Sequence, residues 1–276
     1  MTPSLRSRLT VYAVLIGAAA LMILPFVMMA STSLKPHAYV LEIPPQLVPT
    51  EPTVGNYVQA WTSRGFALYF LNSTVVTAGH VVGVLLLSSM MAFAFARFEF
   101  RGKRVLFLAL LATLMIPAMM LIIPQFIVAR DLGLIDRRLG LVIFYVAGQL
   151  AFLTFLLRGF FEGIPRELEE AMELDGASPW GVYWHLMLPL SRPALATAGI
   201  FAFLAAWDEF IWALTIINDP GRRTLPIAIA LFQGANATQW GLVFAASIIA
   251  ITPVIVVFIV FQRHFVAGLQ AGALKG

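Results

Sequence analysis

Long charge-free stretches of this chain lie at 9–34, 65–96, 105–129, 139–157, 193–207 and 224–262. A helix that crosses a bilayer needs roughly 20 consecutive apolar residues. Trimming polar ends and turn residues leaves six expected spans, at about 10–31, 71–96, 105–128, 139–160, 194–217 and 241–262. Asp208 and Glu209 interrupt the fifth, and the stretch from Gln233 through Gly234 and Ala235 to Asn236 reads as part of a loop before the sixth. The overall balance agrees: 60% of the 276 residues are hydrophobic and only 12% are charged, about half the charge of a soluble domain. A soluble enzyme and a disordered chain are excluded, and the fold class expected is an all-α, polytopic membrane protein. The chain has no cysteine, so disulfides, iron–sulfur clusters and thiolate chemistry are out of reach.

Orientation is expected from the Lys/Arg asymmetry between the loops. With the N-terminus inside, eleven of the 18 basic residues fall on the cytoplasmic side, with a compact cluster at Arg97, Arg101, Lys103 and Arg104. Both termini are then cytoplasmic. Arg6 and Arg8 before the first apolar stretch invite comparison with a signal peptide, but an apolar core of about twenty residues exceeds the usual 7–15, so an uncleaved anchor is expected. The loop at about 32–70 holds Pro36, Pro44, Pro45, Pro49 and Pro52 and is expected to be extended over much of its length. The division expected is an anchor helix and external loop at 1–70, a core at 71–262 with a cytoplasmic loop at 161–192, and a cytoplasmic tail at 263–276.

That cytoplasmic loop is the longest and carries a clear local grammar. Pro165 stands where a proline is tolerated, at the first turn of a helix. Glu167, Glu169 and Glu170 follow in the early turns, where the helix dipole favours negative charge. Leu168, Ala171 and Met172 share one face, and Gly176 is a natural C-terminal stop. Ser178 then caps a second short helix beginning at Pro179, which Pro189 is expected to end. Helices that lie on a cytoplasmic leaflet are rich in Lys and Arg, whereas this one sets Glu167, Glu169, Glu170, Glu173 and Asp175 against Arg166. Anionic lipid repels such a helix. Two readings stand on these residues alone: a short acidic helix seated in a groove of another protein, or a solvated hairpin joining two spans.

The loop resembles the signature of ABC-importer permeases: Glu-Ala-Ala, three residues, Gly, nine residues, then Ile-x-Leu-Pro. Here the run is Glu170, Ala171, Met172, then Gly176, then Leu186, Met187, Leu188 and Pro189, with the full spacing. Met172 and Leu186 stand where the signature has Ala and Ile. Further segments are similar to the carbohydrate-uptake branch of that family, in particular the maltose-type second permease: Gly55-Asn56-Tyr57, Asn72-Ser73, the run from Ala92 to Arg97, Pro117, Leu132-Gly133-Leu134, Gly140-Leu141 and residues 268–276.

The resemblance implies the type I importer permease fold in a bacterial or archaeal cytoplasmic membrane. It implies a non-catalytic subunit that pairs with a second homologous permease and two ATPases, and receives a sugar-like solute from an external binding protein. ATP and Mg belong to the partner ATPases, and neither a cofactor nor a metal nor nucleic acid belongs to this chain. The helix from Glu170 to Gly176 becomes the coupling helix seated in an ATPase cleft, and Glu170, Ala171, Met172, Asp175, Gly176, Leu186, Leu188 and Pro189 the residues that couple the loop to the ATPase. Members of the family with another solute, such as a glycerol phosphate derivative or a peptide, remain an alternative.

Two rivals outside the family lack their signatures. A secondary transporter usually shows an internal repeat with charged midplane sites, and none is evident. A membrane enzyme of the metalloprotease or serine hydrolase kind needs motifs absent here, and His37, His80, His185 and His264 show no metal-ligand spacing. The chain also lacks a P-loop.

Trp207, Asp208 and Glu209 are the pore candidates. An acid at the centre of a span costs roughly 2.5–3.5 kcal/mol on insertion scales. Asp208 lies 16 residues beyond Arg192, roughly 24 Å along a helix, which is the outer third of the span. The acids are suited to sugar hydroxyls and Trp207 to stacking; pairing with arginine or with backbone donors is the competing role. Family members place Asn where this chain has Asp208. His80 is expected to be a neutral interhelical hydrogen-bonder, and Pro117, Pro124 and Pro253 are expected to bend their helices.

Overall fold

The structure is a computed structural model that describes residues 5–36, 48–63, 65–233 and 238–273. His37, Pro44, Pro45, Arg64, Lys275 and residues 234–236 of the loop expected before the last span lie outside them. All regular structure among the described residues is helical. Four helices are long and apolar enough to cross a membrane unbroken: Leu9–Ser33, Phe66–Arg97, Arg138–Glu162 and Trp240–Gln262. Two further pairs pass only together, Lys103–Met115 with Ala118–Asp131 and Pro179–Leu190 with Arg192–Trp207, bent by 95° and 78°. Counting each pair once gives up to six spans, the number expected, but the fifth takes in residues 179–190, which were expected in the loop, and stops short of residue 217.

The chain forms two compact units. The first comprises Met1–Ala67 and Ala228–Pro253. From Leu9 onward helix α1 (Leu5–Ser33) is largely apolar on every face and stays exposed, Leu21 at 73%, until Met28 and Met29 are partly covered and Ser31, Thr32 and Ser33 are buried. A helix hydrophobic all round is stable only in lipid or in a larger core. Its end is tied down by α2 (Gly55–Thr62), which carries the Gly55-Asn56-Tyr57 run. Asn56 Nδ2 donates to the carbonyls of Ser33 and Lys35, each at 2.8 Å, and Tyr57 Oη lies 2.7 Å from Ser33 Oγ. The loop expected to be extended therefore turns helical once its prolines end at Pro52. A Cβ at Gly241 would stand 2.7 Å from that same Asn56 amide, so glycine is required where the last helix begins.

The second unit comprises Leu68–Ile227 and Val254–Gly276. Its long helix α3 (Phe66–Arg97) begins several residues before the expected start. Helix α4 (Lys103–Ala112) and α5 (Ile122–Asp131) form the third span, joined by short 3-10 turns at Thr113–Met115 and Ala118–Leu121. The break falls at Pro117, whose extended backbone (ψ 128°) stops one helix and starts the next. Pro124 sits in the first turn of α5, where the missing donor costs nothing.

Helix α6 (Arg138–Glu162) is the fourth span. After it come α7 (Arg166–Leu174), α8 (Pro179–Val182), a π turn at Tyr183–Met187 and α9 (Leu188–Leu190), then α10 (Arg192–Trp207), α11 (Ile211–Ile216) and α12 (Leu225–Ala230). Pro189 does not end its helix, contrary to expectation. The widened π turn just before it relieves the clash and the lost hydrogen bond that a proline brings to an α-helix, and the bend comes later, at Ser191. The fifth span also differs, because α10 stops at Trp207 and α11 restarts at Ile211. The last helix, α13 (Trp240–Ala273), carries Pro253 inside it and continues well into the expected tail.

The main core of this unit joins α3, α6, the 177–188 segment and α10. Val84, Ala92, Leu153, Leu157, Phe161, Val182, Tyr183, Met187, Ala194 and Ala198 are fully or nearly fully buried together. The 161–192 loop is thus seated on the spans rather than hanging from them.

Candidate functional site

The hairpin of α7 and α8 is built by its turn residues. Pro165 takes the N-cap position in extended conformation, one residue ahead of the expected first turn. At the other end Gly176 adopts φ +86°, Gly176 N–H donates to the Glu173 carbonyl and Ala177 N–H to that of Met172, both at 2.9 Å. This pair of bonds is the Schellman arrangement that closes a helix through a left-handed residue. Ser178 Oγ then accepts the N–H of Gly181 at 3.2 Å, capping α8 as expected.

The signature residues divide between two surfaces. Glu170, Ala171, Asp175 and Gly176 are exposed, together with Leu168 and with Leu174 at 90% exposure. Met172, Leu186 and Leu188 pack instead against the chain's own core, and Pro189 is half-buried. One half of the signature therefore offers a surface and the other half holds it in place. Glu169 turns inward: its Oε2 lies 2.9 Å from Nε of Arg97, with the two side chains 16% and 4% exposed. Arg97 Nη2 also donates to the Ile164 carbonyl at 2.7 Å. Nothing in the local sequence sets Glu169 apart from its acidic neighbours; helical phase relative to Met172 is the sole hint.

A second feature lies within the spans. A cavity of about 380 Å³ is lined by α3, α5, α6, α10 and α11, and its polar walls are His80, Gln125, Tyr145, Gln149 and Glu209. His80 Nε2 donates to Gln149 Oε1 at 2.8 Å, the interhelical bond expected of it, and Gln149 Nε2 donates to the Phe201 carbonyl at 3.1 Å. Tyr145 Oη donates to Glu209 Oε2 at 2.6 Å. Glu209 also accepts the N–H groups of Trp212 at 2.7 Å and Ala213 at 3.0 Å, so it caps the short helix α11.

The three pore candidates part company here. Glu209 lines the cavity, with both oxygens engaged by backbone donors and Tyr145. Asp208 is exposed, lies outside the cavity lining and has no side-chain bond among the described residues. Trp207 is 4% exposed, with Phe203 stacked on it at 5.4 Å and Phe70 edge-on at 5.6 Å, so the face expected for a solute is occupied by Phe203. Sequence reasoning missed Gln125, Tyr145 and Gln149, because uncharged polar side chains leave an apolar run unbroken.

The end of α3 remote from Arg97 is fastened by the Asn72-Ser73 pair. Asn72 Nδ2 donates to the carbonyls of Gly221 and Arg223, Arg138 donates to Asn72 Oδ1, and Ser73 Oγ accepts the N–H of Leu225. Beside it Asp136, with φ +56°, accepts the N–H groups of Asn218 and Asp219 through Oδ1, and Arg222 donates to its carbonyl. The Asp219 N–H, helped by Asn218 and Arg222, holds the Asp136 carboxyl below its ordinary value. A depressed folded value means that the clasp is at full strength above the usual carboxylate pKa of about 4 and fades as pH falls through the lower folded value. Asp136→Ala is therefore expected to lower the melting temperature of the purified protein at pH 7, with the gap to the parent closing below about pH 4; a gap that stays constant with pH contradicts the clasp.

Broken spans, a largely apolar cavity with a few polar side chains on its walls and a hairpin seated on the core fit a multi-pass helical membrane protein of the transport-permease kind. Residues 84–270 match the family described as "Binding-protein-dependent transport system inner membrane component", and the chain belongs to that family. It is 36% identical over 252 residues to the sulfoquinovosyl glycerol transport system permease protein of Agrobacterium fabrum, covering 91% of this chain and 88% of the relative. It is 34% identical over 266 residues to a diacetylchitobiose uptake system permease protein of Streptomyces coelicolor, covering 96% and 88%. Among solved structures, it is similar to a chain of a bacterial ABC transporter involved in the import of the acidic polysaccharide alginate, with a TM-score of 0.84, 27% identity, and 96% and 99% of the two chains covered.

Proposed function

We propose that this chain is one of two pore-forming permease subunits of an ATP-driven carbohydrate importer. It works beside a second permease, two cytoplasmic ATPases that bind ATP and Mg, and an external solute-binding protein. Both termini are cytoplasmic, which puts α7 on the same side as the ATPases. The observation that carries the reading is the exposed half of the signature: Glu170, Ala171, Asp175 and Gly176, with Leu168 and Leu174, make an acidic surface with apolar points on a rigid, core-seated hairpin. Such a helix is suited to a cleft in a protein partner. Relatives named for sulfoquinovosyl glycerol and diacetylchitobiose support a carbohydrate as the cargo.

The cavity lining includes Glu209 and contains neither lysine nor arginine, so from this chain a hydroxyl-rich solute would find hydrogen-bond partners such as Gln125 and Gln149 but no cation.

The test is co-purification of the chain with an ATPase and stimulation of ATP hydrolysis by the loaded binding protein. Glu170→Lys reverses one exposed charge of the docking surface without touching the core. It is expected to reduce ATPase recovery about tenfold or more while the protein still accumulates in the membrane. Normal recovery and normal stimulation of that variant would count against docking through α7. Reporter fusions at Arg101 and Glu173 are expected to read cytoplasm, and an external signal from either overturns the orientation.

A further inference from the structure

Beyond the apolar packing against α3, α6 and α10, two polar side-chain contacts among the described residues fasten the hairpin to a span, and both lie on α3. At the C-terminal end of that helix Arg97 meets Glu169 of α7 and the Ile164 carbonyl just before it. Eight residues earlier, Ser89 Oγ lies 2.8 Å from Tyr183 Oη in a buried contact, and Tyr183 opens the π turn in the hairpin's second limb. Phe93, between the two, packs its ring 5.4 Å from that of Tyr183. The two contacts stand roughly 12 Å apart along the helix, one for each limb. The covalent routes out of the hairpin pass through Gly163 and through the 78° bend at Ser191, where the chain changes direction.

A buried ion pair is a poor means of adding stability, since an apolar pair of similar volume often does as well or better; what it fixes is geometry, because removing one partner leaves a charge stranded. Arg97 has the guanidinium fork needed to hold a carboxylate and a carbonyl at once. We infer that the Arg97–Glu169 pair is the strut through which a displacement of α7 is handed to α3, the helix that carries His80 into the cavity. Arg97 and Glu169 are positioning residues, and the inference rests on the proposal that α7 is seated on an ATPase.

The test uses the complete importer in nanodiscs, with ATP and vanadate as the probe, so that no solute needs to be known. The chain lacks cysteine, so once any cysteines of the partner subunits are replaced by serine, spin labels go only to Val82→Cys on α3 and Phe155→Cys on α6, both at exposed positions. In the parent, vanadate trapping is expected to change the distance between the labels. In Glu169→Gln the same amount of nucleotide is expected to be trapped, with the distance change reduced to below roughly a third. The exchange of Arg97→Glu with Glu169→Arg is expected to restore part of it, since the ion pair returns but the donor to the Ile164 carbonyl does not. Arg97→Lys keeps the charge without the fork, is the gentler variant should a reversal fail to fold, and is expected to give an intermediate change.

A full distance change in Glu169→Gln overturns the strut, as does a parent in which α3 does not move at all. Loss of nucleotide trapping in Glu169→Gln also overturns it, because the pair would then be part of the ATPase seat. If the parent itself traps no nucleotide because no ATPase is bound, the failure is that of the docking proposal.

Discussion

Gly176→Pro is expected to leave the chain in the membrane and to strip it of its ATPase. The residue sits at φ +86°, and proline is locked near −65°. Proline also removes the N–H that Gly176 donates to the Glu173 carbonyl, and it displaces the Ala177 bond to Met172 that closes the same turn. Each loss unwinds the end of α7 where Asp175 and the exposed Leu174 are presented. The penalty is about 3 kcal/mol or more, confined to a loop outside the spans, so insertion of the apolar helices is unaffected. Gly176→Ala is the control: the space around a Cβ there is open, and the strain of a left-handed alanine is about 1–2 kcal/mol. Recovery of ATPase with the membrane-extracted chain is therefore expected to be partial for alanine and absent for proline. Equal recovery for the two variants would show that the turn geometry has no part in docking.

The hairpin was legible in the sequence because its signals are local. A glycine after an acidic helix, a Ser-Pro start and their spacing all act within one or two turns of the chain, and the structure returns the Schellman turn and the Ser178 cap. The spans were legible as lengths because an apolar run reports the environment it is bound for. The same run says nothing about direction, so the 95° break at Pro117 and the 78° bend at Ser191 had no signature beyond the prolines nearby. Pro189 misled for a related reason, since whether a proline ends a helix depends on the turn before it. The pairs that organise the site join residues far apart in sequence, Arg97 to Glu169 and Tyr145 to Glu209. No local periodicity links them. Asp208 and Glu209 look alike as neighbours in a sequence, yet the end of α10 sends one outward and leaves the other to cap α11.

That divergence gives the second large expected effect. Glu209→Ala removes the acceptor for Tyr145 Oη and for two backbone N–H groups of α11. A buried donor left without a partner costs about 1–3 kcal/mol, and a lost helix cap adds about 1 kcal/mol. The broken fifth span is expected to lose its fixed direction, and uptake of the sugar carried by the binding protein to fall by about two orders of magnitude. Tyr145→Phe deletes one of the three bonds and leaves the cap in place, so its loss is expected to be much smaller. Glu209→Gln keeps an acceptor oxygen and is expected to fall between them. Asp208→Asn touches no bond among the described residues and is expected to change the melting temperature by an amount equivalent to less than about 0.5 kcal/mol, while its effect on solute affinity reports whether the exposed acid faces the pore. The double variant Tyr145→Phe with Glu209→Gln decides between a packing account and a network account. Residues joined in one network are non-additive by about 0.5–3 kcal/mol, so the two changes together are expected to cost less than their sum. Strict additivity would mean that the 2.6 Å contact between Tyr145 and Glu209 carries no energy, and that the cavity is held open by α11 packing alone.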